Sequence, residues 1–120
     1  MNTPAPQESR RARRRKVEGT IQVIDSMTEQ TIGQLGNISE NGLLLIAHVP
    51  LHEDALYQVR FTLGDGYGPR LNLEVGVHLL WHQPAGSPGV SWNGFRFINI
   101  LDSQLDQLRQ WVDAPGAAHE

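Results

Sequence analysis

Cysteine is absent from the 120-residue chain, and that absence excludes disulfide staples, thiolate metal sites and cysteine nucleophiles together. Long apolar runs are lacking too: no stretch of about 18 uncharged apolar residues occurs, and the polar, basic amino end has no apolar signal core. Neither a membrane span nor an export signal is expected, and the chain reads as cytoplasmic. Cations become scarce after the first sixteen residues, where only Arg60, Arg70, Arg96 and Arg109 remain. A hydrophobic share of 39% with 12 glycines still matches an ordinary globular chain. Wholesale disorder is therefore not expected, and the length suits one domain.

What is present is unevenly placed. Arg10, Arg11, Arg13, Arg14, Arg15 and Lys16 are six of the ten basic residues, and within 1–16 they face Glu8 alone, a net of +5. The remaining residues set four cations against twelve carboxylates, a net of −8. A charge run by itself is most often a solvated face or a nonspecific polyanion-binding arm. Five arginines to one lysine point further, because a guanidinium is a planar fork suited to phosphate oxygens and to the O6/N7 edge of guanine.

Residues 1–9 lack periodicity and are expected to form a mobile tail. Val17, Gly19, Ile21 and Val23 alternate with polar residues as one strand, followed by turn chemistry at Asp25 to Thr28. A weaker strand runs from Gln30 to Leu35, with Gly33 and Gly36 as bulge candidates. Asn37 to Gly42 reads as a loop, and Leu43 to Ile46 as a short strand buried on both faces. Tyr57 to Leu63 alternates up to the turn formers Gly64 to Pro69. Leu71, Leu73, Val75, Val77, Leu79 and Trp81 then share one parity, with Leu80 as the exception. The last strand, Val90 to Ile98, has Trp92 and Phe95 out of register, which suggests a bulge at Gly94. Leu101, Leu105, Leu108 and Val112 change to helical spacing, Ser103 with Asp106 resembles a capping box, and Pro115-Gly116 ends the helix. The pattern predicts an all-β, six-stranded antiparallel barrel with one C-terminal α-helix across a mouth. Its parts are a flexible basic arm at 1–16, the barrel with its helix at 17–113 and a tail at 114–120.

Two features stand in order: Arg-x-x-x-Arg at Arg10 to Arg14, just before the first strand, and Asn37-x-Ser39-x-x-Gly42 after the second. Together they resemble the signature of the PilZ family, small β-barrels that bind the bacterial second messenger cyclic di-GMP. Gly94-Phe95-Arg96-Phe97 is similar to the ending of that family's last strand. Arg11 to Arg15 has the same spacing, so two registers are open; the paired opening Arg10-Arg11 favours Arg10/Arg14. The resemblance implies a ligand site at Arg10, Arg11, Arg14, Arg15, Asn37, Ser39 and Gly42. The chemistry agrees with it. Cyclic di-GMP carries two phosphates and two guanines, for which arginine supplies both charge and planar donors. Asn37 can accept or donate, Ser39 can donate to phosphate or shape its own loop, and Gly42 allows a positive φ or a close backbone approach.

Trp81 has two readings. It could stack on a guanine, but its parity with Leu71 to Leu79 favours packing in the core. His78 and His82, about 13 Å apart along a strand, cannot share a metal, and His48 and His52 read as solvated. Ser39 has no base or oxyanion site nearby in sequence, so no enzyme, cofactor or metal is expected. The resemblance implies a receptor that binds cyclic di-GMP and changes the surface shown to an effector protein, in motility, exopolysaccharide or virulence control. The alternatives are a PilZ-fold adaptor that binds no nucleotide and a small nucleic-acid-binding barrel, which the acidic body disfavours.

Overall fold

The computed structural model describes residues 12–64 and 70–120. The expected tail at 1–9, Arg10, Arg11 and the hairpin tip at 65–69 lie outside the described residues. The described elements are β1 (Arg15–Lys16), β2 (Gln22–Asp25), β3 (Gln30–Ile38), β4 (Gly42–Ala47), β5 (Leu56–Leu63), β6 (Leu71–Pro84), β7 (Ser91–Asn99) and α1 (Asp102–Val112). β2, β3 and β4 form one antiparallel meander, and β5, β6 and β7 a second. Pairing of β2 with β5 and of β4 with β7 joins the two meanders edge to edge. The result is the closed six-stranded antiparallel barrel with a C-terminal helix that the alternation predicts.

β1 is a short addition to that ring. It pairs with the end of β3 on the side opposite β4, Arg15 facing Ile38 and Lys16 facing Asn37, and so prolongs the line of β2. The single strand expected over Val17 to Val23 is therefore broken. Gly19 adopts a φ of 82°, a left-handed conformation that extended backbone does not contain. Bonds from Val17 to Gly36 and from Leu35 to Ile21 keep the interrupted stretch against β3.

Alternation fills the barrel. Val23, Leu35, Leu43, Leu45, Val59, Phe61, Leu63, Leu73, Val75, Val77, Leu79 and Phe95 point inward and are buried, each such side chain contributing about 1.5–3 kcal/mol when removed from water. β4 is not buried on both faces as expected: Leu43, Leu45 and Ala47 face the core, while Leu44 and Ile46 are half-buried on the outer wall. The parity of β6 also changes. The β6–β7 register shifts between Leu79 and Trp81, leaving Leu79 opposite Phe95 and Trp81 opposite Gly94. Leu80 is thus the extra residue of a bulge that re-aims every side chain after it. The bulge expected at Gly94 lies on the partner strand instead, and β7 runs beside β4 without a shift. Trp92 looked out of register because Asn93, fully buried, takes the inward position and donates to the carbonyl and hydroxyl oxygens of Ser91 at 3.2 and 2.9 Å.

The helix closes one mouth with Leu108 and Val112, both buried. Leu101 precedes it and is exposed, and no capping box forms, because α1 begins without a side-chain cap bond. Asp102 in its first turn complements the helix dipole instead. Arg109 Nε donates to Glu40 at 3.1 Å, tying the helix to the β3–β4 turn. Past Pro115, Gly116 at φ 84° turns the chain back toward β1.

Candidate functional site

The two sequence motifs meet at the end of β3 that β1 covers. Arg14 Nη1 donates to Asn37 Oδ1 at 2.7 Å. Burial lowers the Arg14 guanidinium below its ordinary value, and the nearby Glu120 carboxylate pushes it the other way. A guanidinium has five donors and Asn37 takes one, so Arg14 keeps capacity for an anion. Asn37 is itself only 6% exposed. It belongs to β3 rather than to a loop, and the expected six-residue loop contracts to the turn Ser39 to Asn41.

Strand alternation separates the arginines. Arg15 faces Ile38, a core residue, and so points to the barrel mouth rather than to the outer wall. There its Nη1 donates to the Trp111 carbonyl at 2.6 Å, and its guanidinium lies 3.7 Å from the centroid of the Trp111 ring, a cation–π contact. Arg14 and Arg15 therefore have different surroundings, one beside Asn37 and the other locked to α1. Arg10 and Arg11 lie outside the described residues.

Ser39 shapes the turn. Its hydroxyl accepts from Asn41 N–H at 3.1 Å, its own N–H donates to Gly42 O at 2.9 Å, and it is 1% exposed. Gly42, unlike Gly19 and Gly116, does not adopt a positive φ. The close approach it permits is to a neighbouring strand: an added Cβ would stand 2.0 Å from the carbonyl oxygen of Phe95.

Trp81, turned outward by the bulge, is 42% exposed, which reverses the preference for core packing. Its indole lies against the backbone of Gly94, where a Cβ would meet Nε1 at 2.2 Å. Cross-strand register places Lys16, Asn37, Leu44, Gly94 and Trp81 in one row over β1, β3, β4, β7 and β6. At about 4.8 Å per strand the step from Asn37 to Trp81 is about 14 Å. This outer wall offers a cationic and amide end, an apolar middle at Leu44 and a flat aromatic end. Sequence reasoning did not include Leu44 or Gly94 in the site. The only available signal was the glycine itself, whose missing side chain makes room for the indole.

A cleft of about 700 Å³ opens elsewhere, where β2 and β5 part, lined by Gln22, Phe61, Thr62, Glu74 and Gln104 among others. Its guanidinium, Arg60, forms a two-point ion pair with Glu29 at 2.7 and 2.5 Å. That hydrogen bonding holds the Glu29 carboxyl below its usual range and raises Arg60. The cleft volume thus lies away from the arginine motif, and the chemistry of anion recognition favours the wall. Among the described residues no three His, Asp or Glu side chains group as a metal site, and no helix is long and apolar enough to cross a membrane.

No curated protein matches the sequence. Among solved structures, the chain is similar to the Bacillus subtilis inhibitor of motility MotI/DgrA, with a TM-score of 0.70 and 12% identity over 86% of this chain and 49% of that one. It is similar to YcgR of Escherichia coli in complex with c-di-GMP, with a TM-score of 0.68 and 17% identity over 86% of this chain and 44% of that one. The isolated PilZ domain of YcgR with c-di-GMP gives a TM-score of 0.63 and 17% identity over 86% of this chain and 88% of that one. The chain therefore spans about half the length of the MotI chain and of the YcgR chain solved with c-di-GMP. At these identities the likeness establishes the fold. The family model for the PilZ domain matches residues 8–114, nearly the whole sequence, and the chain belongs to the PilZ domain family.

Proposed function

We infer that this protein is a receptor for cyclic di-GMP, that it works by binding without catalysis, and that it acts in the cytoplasm on an effector protein. The observation that carries the reading is the Arg14–Asn37 contact at 2.7 Å, which joins the two halves of the signature on one outer wall in register with Trp81. In this reading Arg14, with Arg10 preceding it, receives a phosphate and the O6/N7 edge of a guanine. Asn37 presents its amide to the base, and Ser39 and Gly42 hold the turn that sets Asn37 in place. The Arg10/Arg14 register is supported by the engagement of Arg15 with Trp111. The relatives point the same way: YcgR was solved with c-di-GMP, and MotI is an inhibitor of motility. Control of motility is the output this suggests.

Isothermal calorimetry at physiological salt tests the reading, with GMP, cyclic di-AMP and a short oligonucleotide as controls. Selective binding of cyclic di-GMP at low micromolar Kd or tighter is expected. A folded protein that gives no heat with cyclic di-GMP would refute it, and binding of the oligonucleotide alone would favour an arm that tracks a phosphate backbone.

Trp81 supplies a second expectation. Base stacking on an aromatic side chain is worth about 1–3 kcal/mol, so Trp81→Ala should weaken cyclic di-GMP at least several-fold. Because the indole is partly exposed, thermal unfolding should move little. A large fall in Tm with unchanged affinity would assign Trp81 to packing.

A further inference from the structure

The tail folds back on the arm through contacts that the binding reading does not use. Lys16 N–H donates to Ala118 O and Glu120 N–H to Arg14 O, each at 2.9 Å, so residues 118–120 run antiparallel to 14–16. His119 is wedged between Arg13, 3.0 Å from Nδ1, and the Val112 carbonyl, 2.6 Å from Nε2. An arginine only donates and a carbonyl only accepts, so the ring is held as the Nε2–H tautomer. Asp113 meets Arg13 at 3.3 Å on the helix side of the same junction. Glu120 then reaches the centre of the site: Asn37 Nδ2 donates to its Oε2 at 3.3 Å, on the amide whose Oδ1 takes Arg14.

We propose that residues 118–120 are a strap that occupies the anion site of the free protein, with the Glu120 carboxylate held where the ligand's anionic groups are received, so that cyclic di-GMP binds by displacing it. This rests on the receptor reading above. The argument is one of shared partners. Asn37 cannot give the same donor to Glu120 and to a ligand, and a second anion beside Arg14 meets the repulsion of the first. The backbone edge of 14–16 is also hydrogen-bonded to the strap, so the arm cannot swing over a ligand until those bonds part. The affinity of the intact protein is accordingly reduced by the free energy of strap release.

Three full-length proteins test this by calorimetry with cyclic di-GMP: wild type, Glu120→Gln and Glu120→Pro. Removing the charge should tighten Kd about two- to fivefold. Proline, which also deletes the N–H given to Arg14 O, should tighten it about three- to tenfold. In backbone NMR spectra of the wild type, saturating cyclic di-GMP should move the Ala118, His119 and Glu120 amides toward random-coil positions. Wild-type or weaker affinity in both variants, or tail amides that stay dispersed in the complex, would overturn the strap while leaving the receptor reading intact. Absence of binding in all three would remove the receptor reading and the strap with it.

Discussion

Gly42→Ala should destabilise the protein by about 2–3 kcal/mol, an overpacking cost of the ordinary size, and lower Tm by roughly 10 °C. The added methyl would stand 2.0 Å from Phe95 O and 2.9 Å from Arg96 Cα, both backbone atoms that no rotamer change can move aside. Relief requires β4 to draw away from β7 at the Gly42–Arg96 pair, and this pairing is one of the two that close the ring. Gly36→Ala is the control. Its Cβ would meet the Leu44 side chain and carbonyl oxygen at 3.4 Å, both ordinary contacts, so its unfolding curve should shift far less. Urea unfolding of the two variants decides the matter. If Gly42→Ala keeps wild-type stability and loses only ligand affinity, the glycine serves the ligand and not the strand pair.

Arg14→Ala is expected to weaken cyclic di-GMP by about 3 kcal/mol, roughly 100-fold in Kd, the size of one or two hydrogen bonds to a charged group. Arg15→Ala should behave differently. Its guanidinium is committed to the Trp111 carbonyl and ring, so its loss should loosen the arm and α1 and appear mainly as a lower Tm. Paired calorimetry and thermal unfolding of both variants settle the register of the arginine motif. A 100-fold loss for Arg15→Ala with little change for Arg14→Ala would shift it to Arg11/Arg15.

The barrel was legible because six alternating segments separated by turn formers leave few alternatives. Its irregularities were not, for reasons that lie in pairing. Nothing local to β6 says that Leu80 is extra; the bulge exists because Phe95 and Gly94 opposite it fix which neighbours face inward. The same holds for Trp81, whose parity with Leu79 was real in the sequence and cancelled by the bulge. Gly94 was noticed as unusual but assigned to its own strand, whereas its cause is the indole laid over it. At the candidate site, the spaced motifs pointed to Arg14 and Asn37, which the fold brings into contact. The commitment of Arg15 to Trp111 was not, because it depends on where α1 docks. The contacts of Glu120 with Asn37 and Arg14 were equally hidden, since no periodicity links residue 120 to an arm 106 residues away at Arg14.

The two meanders also set the order in which the molecule can assemble. β2–β3–β4 and β5–β6–β7 are chains of hairpins that need only local loop closure, while the β2–β5 and β4–β7 seams join stretches distant in sequence and come at a larger entropic cost. The mouth that α1 closes exists only once those seams have formed, whereas the two-residue β1 needs only the end of β3. The proposed anion site lies where Arg14, just before β1, meets the end of β3, outside the two pairings that close the ring. A substitution at Arg14 is therefore expected to weaken recognition and leave the barrel folded, so that binding and foldedness can be changed separately.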